Sequence, residues 1–177
     1  MNRRYFLKAL ILGSGAVILI PGCSAEVSRY TVFTRSEADC LDALCEQIIP
    51  ADKYGPGASY AWVVNYIDRQ LSGVFSAYLE KYHSGIKSIT QSSLKIYNKR
   101  FEKLNFDVQT DFVMKMESDN LPAEFWSRQK SSAFLKMAIE HTKQGFYGAP
   151  RHGGNKDYIS YRIMNFDYPQ VTGQNRY

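Results

Sequence analysis

The strongest constraint in this chain is the spacing of its apolar residues, which recur at threes and fours and nowhere sustain a period of two. Ala38, Leu41, Leu44, Cys45, Ile48 and Ile49 form one such stripe, and Pro50 ends it. Just ahead, Thr34-Arg35-Ser36-Glu37 has capping-box spacing, with the threonine hydroxyl on the N3 amide and the glutamate returning to the cap. Residues 52–57, with Pro56 and two glycines, read as a loop. A second helix is expected through Trp62, Val63, Tyr66, Ile67 and Leu71, with Gly73 beyond its end. A long third one follows Phe75, Leu79, Tyr82, Ile86, Ile89 and Ile96. Tyr97, Phe101 and Leu104 extend its apolar side, and Gly85 is a candidate kink. Thr110 is expected to cap a short fourth helix carrying Phe112, Val113 and Met116. Pro122 then opens a fifth, which runs through Phe125, Trp126, Phe134, Met137, Ala138 and His141 to a stop at Gly145. The fold class expected is all-α: an irregular bundle of about five helices over residues 26–144.

The texture changes at Gly145. Residues 145–177 hold five of the twelve glycines and the aromatics Phe146, Tyr147, Tyr158, Tyr161, Phe166, Tyr168 and Tyr177, alongside Arg151, Arg162 and Arg176. So much glycine excludes a long regular helix, and so many aromatics argue against a disordered tail. An extended Gly/aromatic-rich segment lying on a surface is expected, either the chain's own bundle or another protein. Tyrosine and arginine are the residues that buried interface centres favour.

The first 25 residues read as an address. A basic head through Lys8 precedes an uncharged run from Ala9 to Ile20. As a helix this run spans about 18 Å, short of the roughly 30 Å hydrocarbon core, so a secretory signal fits better than a membrane anchor. Arg3-Arg4-Tyr5-Phe6-Leu7-Lys8 resembles the twin-arginine export signal of bacteria, with Arg3, Arg4, Phe6, Leu7 and Lys8 as its matching residues. That pathway moves proteins already folded, mainly those that carry a cofactor. Ile20-Pro21-Gly22-Cys23 resembles a lipobox with Cys23 lipidated; Cys23-Ser24-Ala25 reads alternatively as a small-residue cleavage site. Arg3, Arg4 and Lys8 supply three of the five net positive charges, so the overall basicity is a poor argument for nucleic-acid binding.

No recognisable catalytic or cofactor constellation accompanies this signal. Cys40 and Cys45, five apart, point about 140° away from each other on a helix and read as core residues. His83, His141 and His152 share no metal-ligand spacing. Gly57-Ala58-Ser59-Tyr60-Ala61 is a near miss to a nucleophile elbow, without its last glycine or a preceding strand. A hydrolytic reading with His152 as base and Asp157 as orienter therefore lacks a serine. No G-x-G-x-x-G or Walker loop occurs, so no metal, nucleotide or flavin is expected in this chain.

Three blocks, in order, resemble the gluconate 2-dehydrogenase subunit 3 family. They are the twin-arginine signal; Leu44 to Asp68, with Ile48-Ile49-Pro50-Ala51-Asp52, Gly55-Pro56-Gly57-Ala58 and Tyr66-Ile67-Asp68; and the run Gly145 to Asp157, GFYGAPRHGGNKD. Beyond them the family tends toward a glycine and tryptophan and then Gly-Phe-Pro, where this chain has Ser160-Tyr161 and Asn165-Phe166-Asp167-Tyr168-Pro169. The resemblance implies a non-catalytic small subunit that escorts an FAD-bearing large subunit of the glucose-methanol-choline oxidoreductase type through the twin-arginine translocase to the periplasm. A cytochrome c subunit often takes the electrons. Phe146, Tyr147, Pro150, His152, Gly153, Gly154, Asn155 and Asp157 are the expected docking residues, and no catalytic residue is carried over. The competing expectation is a stand-alone envelope lipoprotein that binds carbohydrate or acts as a scaffold.

Overall fold

Residues 29–166 are described by a computed structural model of the chain. Arg3, Arg4, Phe6, Leu7 and Lys8, the residues expected to form an export signal, and Cys23, Tyr168, Arg176 and Tyr177 lie outside them. Among the described residues there are six α-helices and no strand: α1 Arg35–Ile48, α2 Val63–Leu71, α3 Leu79–Tyr97, α4 Phe106–Glu117, α5 Ser131–Tyr147 and α6 Ile159–Ile163. The expected all-α irregular bundle is the observed one. No described helix is long and apolar enough to cross a membrane.

The capping box of α1 forms as its spacing requires. Thr34 Oγ1 accepts the Glu37 amide at 3.2 Å, and the Glu37 carboxylate accepts the Thr34 amide at 2.9 Å. Immediately upstream, Thr31, Val32 and Phe33 donate three successive amides to the Asp68 carboxylate of α2, at 2.7, 2.9 and 3.2 Å. Asp68 is only 2% exposed, so this clamp fixes the chain's entry into the bundle.

The core is aromatic. Tyr82, Phe101, Phe112 and Phe134 are fully buried, and the Phe134 ring meets Tyr82 edge-on at 5.6 Å. Helix α3 runs unbroken through Gly85, the candidate kink. A Cβ there would lie 2.3 Å from the Phe134 ring, so the glycine makes room for that side chain. Helix α3 ends at Asn98, whose left-handed backbone (φ 53°) turns Phe101 into a separate short turn, Phe101–Lys103.

Three other boundaries differ from expectation. Thr110 lies inside α4, its hydroxyl donating to Gln47 Oε1 at 2.8 Å, while Asn105 caps the helix through the Val108 amide at 3.0 Å. Pro122 precedes only the 3-10 turn Ala123–Phe125; α5 starts at Ser131, where the Asp119 carboxylate takes the Ser132 amide at 2.9 Å. Nor does Gly145 stop α5, which continues to Tyr147. A Cβ at Gly145 would lie 2.9 Å from the Tyr66 ring, so here glycine brings α5 close to α2. Beyond α5 the segment is not a long extended stretch. It folds into two 3-10 turns, Pro150–His152 and Lys156–Tyr158, followed by α6.

Candidate functional site

Two loops distant in sequence are joined here. The first, after α1, is held by two carboxylates one helical turn apart. Glu46 accepts the amides of Ala51 and Ser59, both at 2.9 Å, and Asp42 accepts the Ser59 hydroxyl at 2.7 Å. Burial pushes the Asp42 carboxyl above its ordinary pKa, against the opposing effect of that hydroxyl. The second loop, after α5, lies along α2. Asn65 Nδ2 donates to the Gly153 carbonyl at 2.6 Å, and the Lys156 amide donates to the Ala61 carbonyl at 3.2 Å.

The second loop is tightly determined. Gly153 has φ 102°, a conformation natural to glycine, and a Cβ at Gly154 would lie 2.2 Å from the Gly145 carbonyl oxygen. Asn155 is fully buried; its Nδ2 donates to the Gly148 carbonyl at 2.8 Å and its Oδ1 accepts the Ser160 amide at 3.0 Å. Asn155, Asp157 and Tyr158 all take positive φ, between 45° and 57°. Left-handed backbone at three of four consecutive residues is costly and persists because these bonds over-determine it.

The eight residues expected to dock a partner divide into two sets. Phe146, Gly154 and Asn155 are buried within the chain and hold the loop from behind. Tyr147, His152 and Asp157 are exposed, with Pro150 and Gly153 half-buried between them. His152 Nε2 accepts from Arg151 Nε at 3.2 Å, and no hydrogen bond joins it to Asp157.

Sequence reasoning missed three side chains. Trp62, expected on the buried face of α2, instead precedes it with φ 58° and stands 46% exposed. Tyr60 is 45% exposed, and Lys156 Nζ lies 4.6 Å from the Trp62 ring centre and 5.2 Å from that of Tyr60. The available signal was two aromatics bracketing buried Ala61. With Tyr147, 47% exposed, these rings border the second loop. A small hollow of about 190 Å³ opens beside Trp62, lined also by Asp42, Ser59 and Asn65.

Other candidate chemistry is internally satisfied. A broader cleft of about 810 Å³ between α1 and α3 carries Glu37 and His83, but these pair with each other at 2.7 Å, and Arg100 and Glu124 pair with Glu102 and Lys95. His141 stacks on Phe75 at 4.6 Å and hydrogen-bonds the Tyr82 hydroxyl through Nδ1 at 2.9 Å. Cys40 and Cys45 are buried free thiols, each pushed up to about 12 chiefly by burial. Among the described residues no three metal-ligating side chains converge.

Among the described residues, then, the protein is a small all-helical bundle on which two loops distant in sequence meet at one face. The family model described as Gluconate 2-dehydrogenase subunit 3 matches residues 35–167, and the chain belongs to that family. Membership places it among subunits of gluconate 2-dehydrogenase-like complexes. No curated protein and no solved structure matches it.

Proposed function

We propose that this chain is the non-catalytic small subunit of an exported flavin-dependent dehydrogenase acting on a sugar, polyol or sugar acid. It binds an FAD-bearing large subunit of the glucose-methanol-choline type and escorts it, folded, through the twin-arginine translocase to the periplasm. Arg3 and Arg4 supply the address, a lipidated Cys23 would hold the complex at the membrane, and a cytochrome c subunit takes the electrons.

One observation carries the docking part of this reading. Tyr60, Trp62 and Tyr147 are each close to half exposed, yet they border a loop whose backbone is fixed by part-buried hydrogen bonds within the chain. Aromatic rings on a preorganised frame lose little entropy on association, which suits a binding surface. On this reading Tyr147, Pro150, His152, Gly153 and Asp157 touch the partner, while Phe146, Gly154 and Asn155 hold them in place.

Affinity purification of the tagged full-length chain from its native envelope tests this. A larger yellow subunit should co-elute, with the absorption spectrum of an oxidised flavin. Changing Arg3 and Arg4 together to lysine should strand both proteins in the cytoplasm. Export of the flavoprotein despite that change would sink the escort role, and a chain that always elutes alone would favour the stand-alone lipoprotein.

A further inference from the structure

We infer that the face around the second loop is built to receive an acidic protein surface, an inference that rests on the docking reading above and adds the partner's chemistry to it. The six ion pairs among the described residues join Arg35 to Asp39, His83 to Glu37, Lys95 to Glu124, Arg100 to Glu102, Lys115 to Asp111 and Lys143 to Glu140. None of them involves Lys53, Arg69, Arg151, Lys156 or Arg162, the cations of the two loops, α2 and α6. Arg69 lies against Gly153, where a Cβ would meet its Cδ at 2.7 Å, and Lys156 covers Trp62 and Tyr60. Gly55 of the first loop faces Ile163, the residue after Arg162.

The exposed carboxylates on these loops are Asp52 and Asp157, and Asp52 is engaged by the amides of Tyr54 and Gly55, at 2.8 and 3.2 Å. Among the exposed charges of these elements Lys53, Arg69, Arg151 and Arg162 outnumber Asp52 and Asp157, while Asp42, Glu46 and Asp68 are turned inward onto amides and a hydroxyl. Arginine that pairs with no carboxylate among the described residues is suited to bidentate pairing with one on another chain. The interspersed Asp52 and Asp157 favour a protein partner over an anionic lipid surface. A phosphate layer repels them, whereas a protein face can set a cation opposite each.

The test uses the full-length chain and the co-purified flavoprotein, with association followed between about 50 and 500 mM NaCl, roughly the range over which screening becomes strong. Arg69→Glu, Arg151→Glu and Arg162→Glu should each slow association about tenfold. Lys103→Glu, in the turn packed on α1 and α3, should leave it unchanged, and salt should weaken the wild-type complex. A complex indifferent to salt and to all three reversals would overturn the acidic-surface inference while leaving the docking reading intact. Failure of any flavoprotein to associate would overturn both. Sedimentation of the chain with phosphatidylglycerol vesicles, lost in the three variants while the protein complex is unaffected, would assign the cations to lipid and also overturn it.

Discussion

Asn65 Nδ2 and the carbonyl of Gly153 lie 2.6 Å apart across 88 residues of sequence, and this bond ties the C-terminal loop to α2. Asn65→Ala leaves that carbonyl to water or to nothing. The expected cost is about 1 kcal/mol, felt locally. Hydrogen exchange should quicken across residues 150–160 while the amides of α1 and α3 stay protected. Uniform loss of protection would show that the loop is not a separable layer.

Gly154 is constrained from another direction. Its missing Cβ would sit 2.2 Å from the Gly145 carbonyl oxygen, a backbone atom that cannot swing aside. Gly154→Ala should therefore destabilise by roughly 3 kcal/mol, at the upper end for overpacking. For a domain of this size that is a fall in Tm of roughly 6–12 °C, readable by calorimetry. An unchanged Tm would mean that the loop can lift off α5 at no cost.

The Asp68 clamp gives an expected loss of similar size. Asp68→Ala strips the acceptor from three amides at the entry to the bundle, at least one of them buried. Unsatisfied buried donors make a loss of about 3 kcal/mol the expected outcome, seen as a lower urea midpoint at unchanged slope. Asp68→Asn, which keeps an acceptor oxygen but adds donors facing the same amides, should fall between. Equal stability of all three proteins would remove the clamp from the account.

Most of the bundle was legible because its stripes and its first cap are local codes. Thr34 and Glu37 specify each other within one turn, and Leu41, Leu44 and Cys45 point inward by spacing alone. What was not legible depends on distant partners. Gly85 and Gly145 look like helix breakers in sequence, and only Phe134 and Tyr66, approaching from other helices, show why glycine belongs mid-helix. The start of α5 was misplaced because its cap comes from Asp119, twelve and thirteen residues upstream of the hydroxyls it binds.

Composition set residues 145–177 apart and the family resemblance narrowed them to 145–157, but neither showed which of them face outward. Asn155 reads as a polar surface residue until the Gly148 carbonyl and Ser160 amide are seen to enclose it. Trp62 reads as a core residue until its left-handed backbone turns it out. Both errors come from assigning burial by residue type where backbone geometry decides it.

Cys40 and Cys45 should behave as inert core residues despite being free. Both are fully buried, both are pushed up to about 12, and Cys45 Sγ takes the Thr142 hydroxyl at 3.3 Å. The thiolate is the reactive species, so a thiol reagent at pH 8 should label neither in the folded domain and both in denaturant. Because Cys23 is a third cysteine whose labelling would confound the count, the measurement belongs on Cys23→Ser protein. Rapid labelling under native conditions would reveal an opening of α1 that its packing does not suggest.

His141 sets the expected response to mild acid. Burial lowers its pKa below the ordinary 6.5, with Glu140 opposing weakly. Its Nδ1 is engaged by the Tyr82 hydroxyl, and its ring is stacked on Phe75. The unfolded chain therefore binds a proton more readily than the folded one once the pH falls below about 6.5, and stability declines from there toward the folded pKa. Carboxylates such as Glu37, also lowered, lose their contribution only nearer their ordinary pKa of 4.5, so between pH 7.5 and 5.5 comparison with a variant at position 141 separates this ring from His83 and His152. Over that window the wild-type Tm should drop, whereas His141→Phe, which keeps a ring against Phe75 but cannot take a proton, should start lower and stay flatter. Parallel pH profiles for the two proteins would show that acid enters the fold somewhere other than this ring.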